Sequence, residues 1–216
     1  MADPSASHGA AEGTIKFVVE ACRVTPPLDR AAFDEVEAFR ARLWPRELIG
    51  HDAVRGYGYG NLSARRREGG FVITGTQTGH LPVLDGSDYT VVNGWDFSRN
   101  TVRCTGPCRP SSEALSHAAF YLRPEVGGVI HVHARGLWHA LIRDGALSTE
   151  ADIPYGSERL YRRIIERVVA CTPPPPIPLL LVMKGHEDGV FAAGRNLAEA
   201  WGVIREAIER EGEGVA

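Results

Sequence analysis

The chain has 216 residues, 44% of them hydrophobic and 24% charged, a make-up that fits one soluble globular domain. A formal charge of −3 and a pI near 6.2 give no general pull toward nucleic acid or an anionic membrane, so any bound phosphate must be held by local donors. No apolar run approaches the roughly 20 residues of a membrane span.

The opening "MADPSASHGAAEG" lacks a positive region followed by an apolar core, so it reads as a flexible tail over residues 1–13, with one domain over 14–212. "TIKFVVEA" is a first strand. "LDRAAFDEVEAFRARLW" carries Phe33, Val36, Phe39 and Leu43 at near-helical spacing, with Asp29 as N-cap and Pro45 as the stop. From Gly56 to Cys104 the texture is β: "GYGNLSAR", "GFVITG", "DYTVVN" and "RNTVRC" are short extended runs separated by turn formers. A helix opens at "RPSSEALSHAAFYL", and "GGVIHVHARG" follows as a strand. After a polar stretch comes the helix "GSERLYRRIIERVVA", with Ser157 as cap and Leu160, Ile164 and Val168 inside. "TPPPP" is a stiff connector, "IPLLLVM" and "GVFAAG" are buried strands, and "NLAEAWGVIREAIER" is a closing helix capped by Asn196. Helices flanking a strand-rich middle with short links predict a single-domain, three-layer α/β/α sandwich around a mixed, mostly antiparallel sheet.

Chemistry concentrates at four places. In the strand "GVIHVH", His131 and His133 share a face, roughly 6.6 Å apart along the chain, while Ile130 and Val132 face the other way into the core. Two such imidazoles can converge on one ion. A catalytic zinc usually takes three protein ligands and leaves a position open. Among His8, His51, His80, His117, His139 and His186, the last stands out, because it ends a buried strand between glycines in a polar loop. His8 lies in the tail, and His117 and His139 suit surface or packing roles.

Pro110, Ser111 and Ser112 open a helix whose first N–H groups and hydroxyls can hold an anion, with Glu113 beside them. "ITGTQTGHL" exposes a row of donors, as anion nests do. "GYGNLSAR" brings Asn61, Ser63 and Arg65 next to a glycine bend. Of Cys22, Cys104, Cys108 and Cys171, only the pair in "CTGPC" is close, at a spacing that matches no common zinc or redox pattern; reduced thiols in a cytoplasmic protein are expected.

Taken in order, "GNLSAR", "ITGTQTG", "PSSE", "HVH" and the late "GH" resemble the class II aldolase/adducin family over about residues 50 to 210. The resemblance implies a homotetramer with active sites between subunits and a metal site formed by His131, His133 and His186. The metal it implies is zinc, with manganese, cobalt or iron as alternatives. It also implies Glu113 as the catalytic carboxylate, and Asn61, Thr78, Gly79, Ser111 and Ser112 as the phosphate-binding set. The implied activity is a lyase that cleaves a small phosphorylated ketose by a retro-aldol reaction through an enediolate. Sugar-phosphate dehydratases and epimerases share that site, but epimerases carry aspartate where Glu113 stands. Adducin head domains keep the fold without the chemistry and lack the histidines present here.

Two departures from the family pattern are visible. The third-ligand loop reads "GHEDG" rather than beginning with a His-Gly pair. In the short segment "GLWHALIRDGALSTEADIPYG" no tyrosine matches the proton donor that aldolases supply from a neighbouring subunit, and Tyr155 is expected to line the pocket instead. A redox enzyme is the remaining alternative, without a G-x-G-x-x-G fingerprint after a strand to support it.

Overall fold

The computed structural model describes residues 14–213; the expected tail over 1–13 and His8 lie outside them. Among the described residues the strands are β1 (Val18–Arg23), β2 (Gly50–Asp52), β3 (Tyr57–Tyr59), β4 (Asn61–Arg65), β5 (Phe71–Thr74), β6 (Tyr89–Asp96), β7 (Thr101–Thr105), β8 (Gly128–His133), β9 (Leu179–Val182) and β10 (Gly189–Gly194). The α-helices are α1 (Arg30–Leu43), α2 (Ala114–Phe120), α3 (Arg135–Arg143), α4 (Glu158–Ile164) and α5 (Leu197–Glu213); a 3₁₀ turn (Trp44–Arg46) follows α1 and a π-helical turn (Ile165–Val169) follows α4. Eight strands form one sheet in the order β1-β7-β6-β5-β4-β8-β10-β9, with β2 and β3 a separate ribbon. Only β1 and β7 run parallel within the large sheet. The β4–β5 and β6–β7 links are too short for crossovers, so each of these pairs is an antiparallel neighbour pair.

Strand alternation divides the core in two. Phe71, Ile73, Val129, Phe191 and Ala193 face α2 and α4, burying Ala118, Phe120, Leu160 and Ile164. Leu62, Val72, Ile130, Val132, Val190 and Ala192 face α1, α3 and α5, against Val36, Leu43, Leu137, Leu197 and Ile204. Each fully buried side chain of this size contributes about 1.5–3 kcal/mol from area removed from water. The result is the three-layer sandwich expected from the alternation of elements.

Three local expectations change. The segment after β8, read as polar, folds as α3, where Leu137 and Ala140 turn inward at helical spacing. "GYGNLSAR" splits into β3, paired with β2, and β4, paired with β5 and β8. The helix expected from Pro110 starts at Ala114, because residues 109–111 instead extend the sheet: Thr76 N–H donates to the Arg109 carbonyl at 3.0 Å and Ser111 N–H to the Thr74 carbonyl at 3.1 Å. The caps fare differently. Asn196 accepts from Glu199 N–H at 2.9 Å and Ser157 from Leu160 N–H at 3.3 Å, while Asp29 makes no side-chain cap bond.

The cysteine expectation is corrected. Cys22 and Cys104 face each other in the β1–β7 register and are joined by a disulfide across 82 residues of sequence, a separation that hid the pair. Cys108 and Cys171 are free. Denatured protein should therefore show two titratable thiols without reductant and four after reduction; four in both conditions would exclude the cross-link.

Candidate metal centre

The site forms where β8 meets its neighbours. Asn61 on β4 is in register with His131 on β8, which is in register with Phe191 on β10; His133 is opposite Gly189. His186 lies in the tight turn between β9 and β10, closed by Met183 N–H to the Gly189 carbonyl at 3.0 Å and Gly189 N–H to the His186 carbonyl at 3.0 Å. Gly189 is required by a close approach: a Cβ there would lie 2.3 Å from His186 Cδ2. The turn therefore lays the His186 ring over the two strand histidines. Nε2 of His186 is 2.8 Å from Nε2 of His133, and one ring nitrogen from each of the three histidines falls within 4.8 Å of the others. Three imidazoles so disposed match the three-ligand pattern of a catalytic metal site.

The carboxylate joins them. Glu113, buried at the start of α2, places Oε2 3.1 Å from His131 Nε2 and 3.1 Å from Asn61 Nδ2, which donates to it. His131 Nδ1 donates to the Val190 carbonyl at 3.2 Å. That bond sets the tautomer and turns the Nε2 lone pair toward Glu113. A nitrogen lone pair facing a carboxylate oxygen calls for a proton or a cation between them. Oε1 of Glu113 is buried without a hydrogen-bond partner, a second sign of a group the protein is built to receive. The residues fit a divalent metal. Burial, reinforced by the neighbouring His186 and His131 rings, holds the His133 imidazole well below the usual histidine range, so it is a neutral ligand at physiological pH.

The loop between β5 and β6 closes one side. Gly79 can approach β2 only because it lacks a Cβ, which would sit 1.9 Å from the Gly50 carbonyl oxygen. The loop is pinned from α1 and from Trp44 just after it. The buried Arg40 guanidinium donates to the carbonyls of Leu81, Pro82 (3.3 Å) and Thr78 (3.4 Å), and Trp44 Nε1 donates to the Gly79 carbonyl at 3.1 Å. Glu37, 3.8 Å from Arg40, accepts from the Tyr89 hydroxyl at 2.6 Å. Arg65, singled out with Asn61, turns away from the site and ties the turn before β8, donating to the carbonyls of Val126, Tyr121 and Arg123.

The structure brings Asn61, Thr78, Gly79, Ser111, Ser112, Glu113, His131 and His186 around one cavity. Its void is about 30 Å³, room for an ion or a water but not a sugar. A cleft of about 340 Å³, bordered by Arg55, Tyr57, His133 and Glu187, shares Tyr59 and His186 with it. Sequence reasoning missed Tyr59, whose ring lies 5.0 Å from that of His133. Tyr155 lines the cavity with its ring 4.9 Å from that of His186, as expected. His51 and His80 face each other with ring centroids 6.0 Å apart, and His139 packs on Trp138. His117 is fully buried rather than on the surface, and it has polar partners. Burial pushes the Cys108 thiol up to about 11, which removes it as a nucleophile at neutral pH.

The profile of the class II aldolase and adducin N-terminal domain family matches residues 46–210. The chain belongs to this family. Among solved structures, the fold is similar to the sugar-phosphate aldolase of Thermotoga maritima, at 18% identity and a TM-score of 0.61, covering 86% of this chain and 95% of that one. It is similar to the L-fuculose-1-phosphate aldolase of Thermus thermophilus, at 19% identity and a TM-score of 0.58, covering 87% and 95%. It also resembles YgbL of Klebsiella pneumoniae, named as a candidate aldolase/epimerase/decarboxylase, at 20% identity and a TM-score of 0.63, covering 84% and 87%. No curated protein matches the chain in sequence. The sheet and its two helical layers are thus those of class II aldolases. No helix among the described residues is long and apolar enough to cross a membrane.

Proposed function

We propose that this family member is a zinc-dependent lyase that cleaves a small phosphorylated ketose by a retro-aldol reaction through an enediolate. The observation that carries the reading is the meeting of His131, His133 and His186 beside the buried Glu113 carboxylate. His131, His133 and His186 would hold a divalent cation, which would supply Lewis-acid polarisation of the substrate carbonyl. Glu113 moves the proton between the substrate and solvent, a role that typically adds roughly 10²–10⁴-fold. Asn61, Thr78, Gly79, Ser111 and Ser112 hold the phosphate with neutral donors. Their grip orients the reacting carbons, so binding energy spent away from the chemistry lowers its barrier. The small inner void supports a substrate that enters phosphate first and extends past Tyr59 and His186 into the larger cleft.

Aldol cleavage stands ahead of dehydration on the motif set, and Glu113 in place of an aspartate speaks against epimerisation. A non-catalytic adducin-like module has no use for the histidine cluster. The same reading makes the protein a homotetramer whose subunits complete each other's clefts. The deciding experiment incubates metal-loaded protein with dihydroxyacetone phosphate in D₂O, with and without a panel of aldehydes. Deuterium wash-in at the carbon beside the carbonyl, and ketose phosphates with the summed mass of both reactants, are the expected results. Neither product appearing with stoichiometric metal in place would remove the aldolase reading.

A further inference from the structure

Five buried polar side chains run in one line from the interior to the catalytic carboxylate. The Tyr121 hydroxyl is 2.8 Å from Ser63 Oγ, which is 2.7 Å from His117 Nδ1; His117 Nε2 is 2.5 Å from Asn61 Oδ1, and Asn61 Nδ2 is 3.1 Å from Glu113 Oε2. All five residues are buried. They come from two elements, with Asn61 and Ser63 on one face of β4, and Glu113, His117 and Tyr121 in successive turns at and after the start of α2. A packing histidine needs neither partner: the His117 ring already has an edge-on apolar contact with Phe191.

With Glu113 as the ionised acceptor that a base must be, and His117 a neutral ring, the donors and acceptors along the line fall in one order. A carboxylate only accepts, so Asn61 must present its N–H₂ to Glu113 and its oxygen to His117. His117 must then carry its proton on Nε2 and accept at Nδ1. Ser63 donates to that nitrogen, and its oxygen accepts from Tyr121. Burial drives the Tyr121 phenol well above its ordinary range, which keeps it a donor. Burial also lowers the His117 pKa, in keeping with a neutral ring.

We propose that His117 is a positioning residue, which with Ser63 and Tyr121 locks the Asn61 amide in the one orientation that donates to Glu113. Without it the Asn61 carboxamide can turn over and set its oxygen against the carboxylate. The proposal rests on the reading of Glu113 as the group that moves the proton.

Two measurements test it. In the wild-type protein labelled with ¹⁵N-histidine, two-bond ¹H–¹⁵N spectra should show His117 as the Nε2–H tautomer; an Nδ1–H or doubly protonated ring would overturn the assignment. In kinetics, His117→Phe keeps an aromatic ring of similar size without its nitrogens, and His117→Gln keeps a planar donor and acceptor of comparable reach. Deuterium wash-in into dihydroxyacetone phosphate should fall about 10–100-fold in His117→Phe, with metal content unchanged. His117→Gln should recover most of that loss. A wild-type rate in His117→Phe, a His117→Gln as impaired as it, or loss of metal from His117→Phe would each refute the positioning role. If His117→Phe fails to fold, the tautomer decides alone. Absence of any exchange by the wild-type protein, or full exchange by Glu113→Gln, would instead remove the proposed function and leave the tautomer as an independent reading of the relay.

Discussion

A His131→Ala variant should lose its metal. Purified wild-type protein loaded with zinc is expected to hold about one equivalent per chain on three imidazoles. The variant, analysed by elemental mass spectrometry after gel filtration, should retain only a small fraction of that and show no deuterium exchange into dihydroxyacetone phosphate. The effect is large because of where the ring sits. His131 is about 1% exposed, is flanked by the Phe191 ring at 4.8 Å, and has its tautomer set by the Val190 carbonyl. The remaining pair, His133 and His186, offers two ligands where a catalytic zinc usually takes three. The same substitution leaves Glu113 without the ring nitrogen 3.1 Å from its Oε2. Stoichiometric metal in the variant would mean that the ion sits elsewhere.

Glu113→Gln separates binding from chemistry. The amide is nearly isosteric, leaves all three histidines untouched and can still accept from Asn61 through its oxygen. Metal content should stay near one equivalent while exchange falls about 10²–10⁴-fold, the usual worth of a placed proton-transfer group. An unchanged exchange rate would take Glu113 out of the catalytic role. A loss confined to KM would point to substrate binding instead.

The strand "GVIHVH" made most of the centre legible. Period-two alternation put His131 and His133 on the side of Val129, with Ile130 and Val132 in the opposite core cluster, as observed. His186 was recognisable from its place at the end of a buried strand, although only the β9–β10 turn determines where its ring goes. What sequence could not supply were partners far apart in the chain. His117 looked like a surface or packing residue because its contacts, Ser63 and Asn61, lie 54 and 56 residues away. Cys22 and Cys104 were invisible as a pair for the same reason. The helix α3 was hidden by polar residues on its solvent side, and the start of α2 was drawn too early because the segment 109–111 satisfies its backbone through β5's extension rather than through a helical turn.

With β10 paired along the whole of β8 and β4 paired from Gly128 to His131, the strand's backbone is held on both sides before any ion arrives. Chelation by this scaffold therefore completes a seat that is already rigid, unlike a zinc finger, which has no fold to speak of until its metal is bound. Stripping with a strong chelator should leave a cooperatively melting apoprotein, whose melting temperature climbs with added zinc only by mass action.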